Sequence, residues 1–363
     1  MADLDIATVI VSYRSAALSI EALRSLEGER SRGRLQLRAV VVDNASGDLP
    51  QIEQAVTRHG WGSWVTLVAA PRNGGFAYGN NLGIAHAHAV SKPAYVYLLN
   101  PDAQVRPHAV EILVRFLETH PAIGIAGSGF ENLDGSDWPI AFRFPTLWSE
   151  LDQGLATGLV TRVLQRWVVA RRMSKHSERV DWVCGASMLI RPAVLDAIGG
   201  FDENYFLYYE ETDFCRRALR AGFETWYVPE SRVMHIAGQS TRVTERGSRP
   251  KRLPSYWFES RRRYFAVSYG IGNAIAIDLV ALIANSLGLT KRFCLGRGNT
   301  VVPRFIRDLI RHSILWRSNR NLPPVYCGAI GGVPTPHAPA NGISERSGSE
   351  AATSLRHATQ LRP

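Results

Sequence analysis

Glu210 and Glu211 stand side by side, behind the run Tyr205-Phe206-Leu207-Tyr208-Tyr209 and ahead of Thr212-Asp213-Phe214. Five aromatic or apolar neighbours would partly desolvate such a pair, raising a carboxyl pKa toward the range useful to a general base. The helix macrodipole also favours acids in a first helical turn, which accounts for three carboxylates within four positions but not for the aromatic flank. A second candidate is Asp102, which closes the segment YVYLLNPD. A short apolar run ended by proline reads as a buried strand, and ligands of open α/β sheets collect outside the carboxyl ends of strands. Asp102 is thus placed to meet a ligand or a metal, or else to cap the helix starting near Pro107 or stabilise a turn. His235, within Val233-Met234-His235-Ile236-Ala237-Gly238, reads either as a satisfied core histidine or as a ligand.

The elements that must position these groups follow from periodicity. Residues 6–12 (IATVIVS) form a β-branched strand. Ala16, Ile20, Leu23 and Leu26 then recur at helical spacing. Strands are expected at 37–42, 65–69 and from 95, with a helix around 79–90. A helix over 110–117 stops at His120-Pro121 and leads to a strand at 123–128. The order βαβαβαβ argues a mostly parallel sheet with helices on both faces.

Polar loops close these strands: Ser12-Tyr13-Arg14, Asp43-Asn44-Ala45-Ser46 and Asn100-Pro101-Asp102. A nucleotide reader needs an aromatic to stack on the base and a carboxylate to accept from a base N–H. The loop Arg72-Asn73-Gly74-Gly75, continuing to Asn80-Asn81, adds a cation beside a phosphate and glycines that permit close backbone approach. It is neither a P-loop nor G-x-G-x-x-G. Taken singly, each loop is more often mere turn chemistry. Residues 131–179 are irregular apart from a helical piece around 158–171, and form either a substrate cleft or a surface insertion. Order returns at 180–191 (VDWVCGASMLIR), and a helix over 214–221 has Gly222 as its C′ residue.

Together these segments resemble the family 2 glycosyltransferases of GT-A fold, especially the branch of bacterial rhamnosyltransferases. The matching stretches are VIVSY, VVDNAS, RNGGFAYGNNLGI, YVYLLNPDA, DWVCGASMLIRP, GGFDENYFLYYEETDFCRRALRAGFE and YVPESRVMHIAGQST, in the family's order from Ile6 to about Thr241. The resemblance implies a Rossmann-like central sheet with a C-terminal helical extension. It implies that Asp43 reads the nucleotide base with Ser12, Tyr13 and Ser46 nearby, and that Arg72, Asn73, Gly74, Gly75 and Asn80 line the donor site. Trp182, Gly185 and Ala186 would face the acceptor. Asp102 is what remains of the family's aspartate-rich metal motif and would hold a divalent cation, Mg²⁺ or Mn²⁺, with His235 completing the site. Glu210 and Glu211 would supply the catalytic base, with Glu211 favoured. The implied activity is an inverting, metal-dependent transfer of a sugar, most readily rhamnose from dTDP-rhamnose, to a hydroxyl of a glycan or lipid-linked acceptor in cell-surface polysaccharide synthesis.

The chain has 363 residues, a 45% hydrophobic content and a formal charge of +10, so it can bury a large core and attract phosphates. Cys184, Cys215, Cys294 and Cys327 have no C-x-x-C spacing and read as reduced thiols of a cytoplasmic protein. The N-terminus has acids before its apolar run and reads as a first strand. The expected organisation is a donor-binding half (1–125), an acceptor and catalytic half (126–245), a basic helical extension (246–322) and a disordered tail (323–363). Within the extension, the apolar run 264–289, flanked by Arg261-Arg262-Arg263 and Lys291-Arg292, is either an interfacial helix at the inner face of the membrane or a helix packed on the domain. A sugar-nucleotide pyrophosphorylase is disfavoured because its glycine-rich N-terminal signature is missing. A nucleic-acid-binding protein, and hence a nucleic-acid partner, is disfavoured because the aromatics flank acids while the basic clusters flank an apolar helix.

Overall fold

The computed structural model describes residues 4–32, 35–138, 141–171, 175–236, 251–296 and 302–328. Its centre is a sheet begun by β1 (Leu4–Ser12), β2 (Leu35–Asp43), β3 (Val65–Ala69) and β4 (Tyr95–Leu99), all parallel in the order β3-β2-β1-β4. Beyond β4 lie β11 (Ser187–Ile190), β6 (Ile123–Glu131), β12 (Glu224–His235) and β5 (Ala103–Val105). β11 runs antiparallel to both neighbours, whereas β12 is parallel to β6 and antiparallel to β5. The sheet therefore becomes mixed in its second half, and it is continuous across both halves of the sequence. Short strands β7 (Asp137–Trp138) and β9 (Glu178–Val180) extend it, while β8 (Ala141–Phe142) and β10 (Trp182–Val183) pair separately.

The continuous apolar runs have a direct cause: both faces of the sheet are covered. On one face Ile6 and Ile10 of β1 pack with Leu23 of α1 (Ala16–Arg32), Ile52 of α2 (Leu49–His59) and Leu113 of α4 (Ala109–Thr119). On the other, Val9 packs with Ile84 of α3 (Gly75–Val90), Val194 of α7 (Pro192–Ile198) and Phe214 of α8 (Glu210–Arg220). Such double coverage favours β-branched strands without a polar alternation.

Two helix starts differ from periodicity. α3 begins at Gly75 rather than near residue 79, and α8 begins at Glu210, so the acid pair opens that helix. Gly222, with φ +92°, follows α8 as expected. Residues 131–179 hold α5 (Leu147–Leu155) and α6 (Gly158–Val163), and a single 3₁₀ turn replaces the rest of the expected helical piece.

The apolar run 264–289 is not one helix. Gly270, at φ +82°, separates α9 (Ser255–Tyr269) from α10 (Ile271–Cys294). The Arg261-Arg262-Arg263 cluster points inward rather than toward a membrane. Arg261 bonds Glu150 of α5 at 2.6 Å and Asp278 of α10 at 2.5 Å, and Arg263 bonds Asp202 at 2.7 Å. Burying these guanidiniums is tolerable because each meets a carboxylate. α10 lies against α5 so closely that a Cβ on Gly288 would come within 2.0 Å of the Gly154 carbonyl. After α11 (Phe305–His312), the start of the expected tail is anchored: Pro323 O accepts from Arg263, and Tyr326 O accepts from Glu203 N at 2.7 Å. The rest of that tail, and the matched stretch beyond Ile236, lie outside the described residues.

Candidate active site

Parallel pairing puts the carboxyl ends of β1, β2 and β4 on one edge, with Ser12 opposite Asp43. The three polar loops therefore converge. Asp43 is buried, and its Oδ1 accepts from the N–H and hydroxyl of Ser46 at 2.9 and 2.6 Å while Oδ2 accepts from Gly47 N at 3.2 Å. Its carboxylate shapes the 43–47 turn and keeps capacity on Oδ2 for one more donor. Tyr13 is half-buried, with the exposed Arg14 guanidinium 5.3 Å from its ring centroid. Ser12 is fully buried and committed to Asp48 and Ser19, at 2.7 and 3.0 Å. It supports the loop without offering a hydroxyl to a ligand.

The glycine-rich loop is held by a residue without an assigned role in the sequence, Asn44. Its amide donates to Asn73 Oδ1 and Gly75 O and accepts from Gly74 N. Gly75 has φ +83°, and a Cβ there would stand 1.8 Å from Phe206 O. The glycine is thus required by the approach of the 201–209 loop, whose Phe206 carbonyl also accepts from Phe76 N. Arg72 is exposed beside Tyr78, available to an anion. Asn80 is buried and bonds Phe76 O within α3, so it stabilises the helix.

Asp102 and His235 come together. β12 pairs with β5 so that His235 lies opposite Ala103, and Ile236 N donates to Asp102 O at 3.1 Å. The imidazole Nε2 is then 3.2 Å from Asp102 Oδ1, both side chains being under 10% exposed. His235 also stacks against Trp138 at 5.4 Å. A carboxylate oxygen and an imidazole nitrogen at this spacing match neighbouring ligands of an ion bound at about 2.1 Å, and suit Mn²⁺ or Mg²⁺. Among the described residues no cluster of three or more His, Cys, Asp or Glu side chains exists that could hold a metal, and the oxygens of a bound diphosphate could supply further ligands.

The acid pair sits at the start of α8, behind Tyr208 and Tyr209, both left-handed at φ 71° and 69°. Successive aromatic residues in that region store strain of the kind found at functional sites. Asp213 is spent on Arg217 at 2.8 Å. By contrast, Oε2 of Glu210 and Oε2 of Glu211 are buried without a hydrogen-bond partner among the described residues. Burial, then the charge of Glu211, pushes the Glu210 carboxyl far above its ordinary range. Burial also raises Glu211, opposed by backbone hydrogen bonds including one at Gly185. Cys184 joins the two halves: after burial, the nearby charges of Glu211, Asp102 and Glu210 raise its thiol pKa. That thiol, and the strained tyrosines, were not singled out as site residues in the sequence. Around it, Gly185 abuts the Phe76 ring and Ala186 O accepts from Asn100 N. Trp182 is half-buried, stacked on Phe142 at 4.2 Å with its indole N–H on Arg143 O.

A polar edge at the strand ends, an acid–imidazole pair and a desolvated carboxylate pair lie on a sheet of GT-A fold, and the protein is a glycosyltransferase. Residues 3–266 match the family described as "Glycosyltransferase like family 2", and the chain belongs to it. It is 31% identical over 213 residues to the N-acetylglucosaminyl-diphospho-decaprenol L-rhamnosyltransferase of Mycobacterium tuberculosis, covering 56% of this chain and 67% of that one. It is 27% identical over 173 residues to rhamnosyltransferase WbbL of Escherichia coli, covering 46% and 63%. The fold is shared with a mannosyltransferase of Pyrobaculum calidifontis solved with GDP-Man and Mn²⁺, at TM-score 0.51, 16% identity and coverage of 82% and 76%. It is also shared with GalNAc-T7 solved with UDP, GalNAc and Mn²⁺, at TM-score 0.52, 15% identity and coverage of 89% and 59%.

Proposed function

We propose that this glycosyltransferase is an inverting, divalent-cation-dependent rhamnosyltransferase. It would take rhamnose from dTDP-rhamnose to a hydroxyl of a lipid-linked glycan on the cytoplasmic side of the cell membrane, in cell-surface polysaccharide synthesis. The reaction type rests on one observation: the Asp102–His235 pair and two glutamates whose buried Oε2 atoms have no hydrogen-bond partner among the described residues share the surroundings of Cys184. The sugar and the lipid-linked acceptor are supported by the mycobacterial relative.

In this reading Tyr13 stacks on the base, Asp43 Oδ2 accepts from a base N–H, and Arg72 meets the phosphates. A cation held by Asp102 and His235 would neutralise charge on the leaving diphosphate. Glu211 accepts the acceptor's hydroxyl proton as the oxygen attacks the anomeric carbon from the face opposite the diphosphate. Glu210 stays protonated, since two adjacent buried carboxylates do not ionise together. Proton removal and leaving-group stabilisation thus fall to different residues on different elements.

A thermal-shift panel of sugar nucleotides, each with Mn²⁺ and with chelator, tests the donor. dTDP-rhamnose with Mn²⁺ should raise Tm most. A larger rise with a uridine or guanosine donor, or indifference to chelator, would overturn the reading.

A further inference from the structure

Helix α10 is patterned unlike a helix facing water. Between residues 271 and 290 the only ionisable residue is Asp278, and it is buried, bonded to Arg261, Ser313 and Ile314 N. The buried face carries Ile277 and the small residues Ala281, Ala284 and Gly288, of which Ala284 and Gly288 meet Gly154 of α5. The large aliphatics Leu279, Ile283 and Leu287, spaced one turn apart on the opposite side, are 45%, 60% and 57% exposed. Soluble helices put charge on that outer face, whereas here it carries none, with the polar Ser286 and Thr290 exposed beside the aliphatics; a mostly apolar, uncharged face marks an interaction surface.

Its C-terminal end opens onto a cavity of about 360 Å³ between α10 and α11. Leu289, Phe293 and Phe305 form apolar walls, and Arg292, Arg304 and Arg307 supply cations. Arg304 and Arg307 are exposed and, among the described residues, make no ion pair of the kind that Arg252 makes with Asp308 at 2.7 Å. An apolar slot rimmed by guanidiniums, continuous with an uncharged aliphatic face, complements a molecule with acyl chains and an anionic head.

We propose that the outer face of α10 and the arginine-rimmed cavity form one docking surface for anionic membrane lipid. The helix lies in the plane of the interface, with Leu279, Ile283 and Leu287 in the acyl boundary and Arg292, Arg304 and Arg307 on head-group phosphates. Packing on α5 and the buried Arg261–Asp278 pair keep α10 part of the folded domain instead of crossing the bilayer. The inference goes beyond the rhamnosyltransferase reading and does not depend on which sugar is transferred.

Flotation of the full chain with vesicles tests this, using phosphatidylcholine alone against phosphatidylcholine mixed with phosphatidylglycerol. Wild type should float with the anionic vesicles only. The triple variant Leu279→Glu, Ile283→Glu, Leu287→Glu should remain unbound, and removal of each of Arg304 and Arg307 should weaken partition about fivefold at low salt. These side chains project outward, so thermal unfolding should match wild type. Wild type that ignores both vesicles, a triple variant that still floats, or equal binding to neutral vesicles would overturn the proposal. So would light scattering that shows a wild-type dimer made monomeric by the triple variant, which would assign the face to a second copy.

Discussion

His235 Nε2 lies 3.2 Å from Asp102 Oδ1 although 133 positions separate them, because β12 returns antiparallel to β5 at the end of β4. If this pair holds the cation, Asp102→Ala and His235→Ala should each weaken Mn²⁺-dependent donor binding by roughly 10- to 100-fold. Calorimetric titration of dTDP-rhamnose with Mn²⁺ and with chelator reads this directly. Wild-type affinity in both variants would remove the metal role.

Glu211→Gln should lower turnover about 100- to 10,000-fold with donor affinity nearly unchanged, because only proton transfer is lost. Glu210→Gln should retain much more activity. The base must be ionised, and burial raises Glu211, so wild-type turnover should fall as pH drops through that raised value. Survival of Glu211→Gln together with loss in Glu210→Gln would exchange the roles.

Glu210 also predicts a pH-dependent stability. Its folded pKa is far above the unfolded one, through burial and then Glu211. Its stability contribution is therefore fully present below the unfolded pKa, near 4.5, and is lost as pH rises toward the folded value. Glu210→Gln should be more stable than wild type at neutral pH by about 1–3 kcal/mol, with the gain vanishing near pH 4. Urea melts at both pH values measure it, and an unchanged or lower midpoint at neutral pH would contradict it.

Arg261 meets Glu150 and Asp278 at full burial, joining α9 to α5 and α10. Arg261→Met leaves both carboxylates without their cation and should cost about 3–5 kcal/mol. A urea midpoint within error of wild type would show that the network does not hold the helical extension in place.

Much of the fold could be read before any coordinates because its signals are local. The runs at β1, β2 and β4 are mainly apolar, their polar ends name Ser12, Asp43 and Asp102, and parallel pairing gathers those ends. Side-chain commitment was not legible, since it depends on partners distant in the chain. Ser12 is taken by Asp48, 36 positions on. Arg261 and Arg263 find carboxylates 111 and 61 positions away, so a cluster that reads as a basic rim is interior. The break at Gly270 was hidden because apolar residues continue on both sides of it. The Glu210–Glu211 pair was legible as a desolvated pair, whereas the left-handed tyrosines that present it leave no mark in residue type.

The most direct measurement is release of dTDP from dTDP-rhamnose, followed with Mn²⁺ and an N-acetylglucosaminyl-diphospho-polyprenol acceptor for wild type and Glu211→Gln. The predicted result is acceptor-dependent release by wild type, abolished by chelator and by the variant. Release that needs no acceptor, persists in chelator or survives Glu211→Gln would contradict the assignment of donor, metal pair and base.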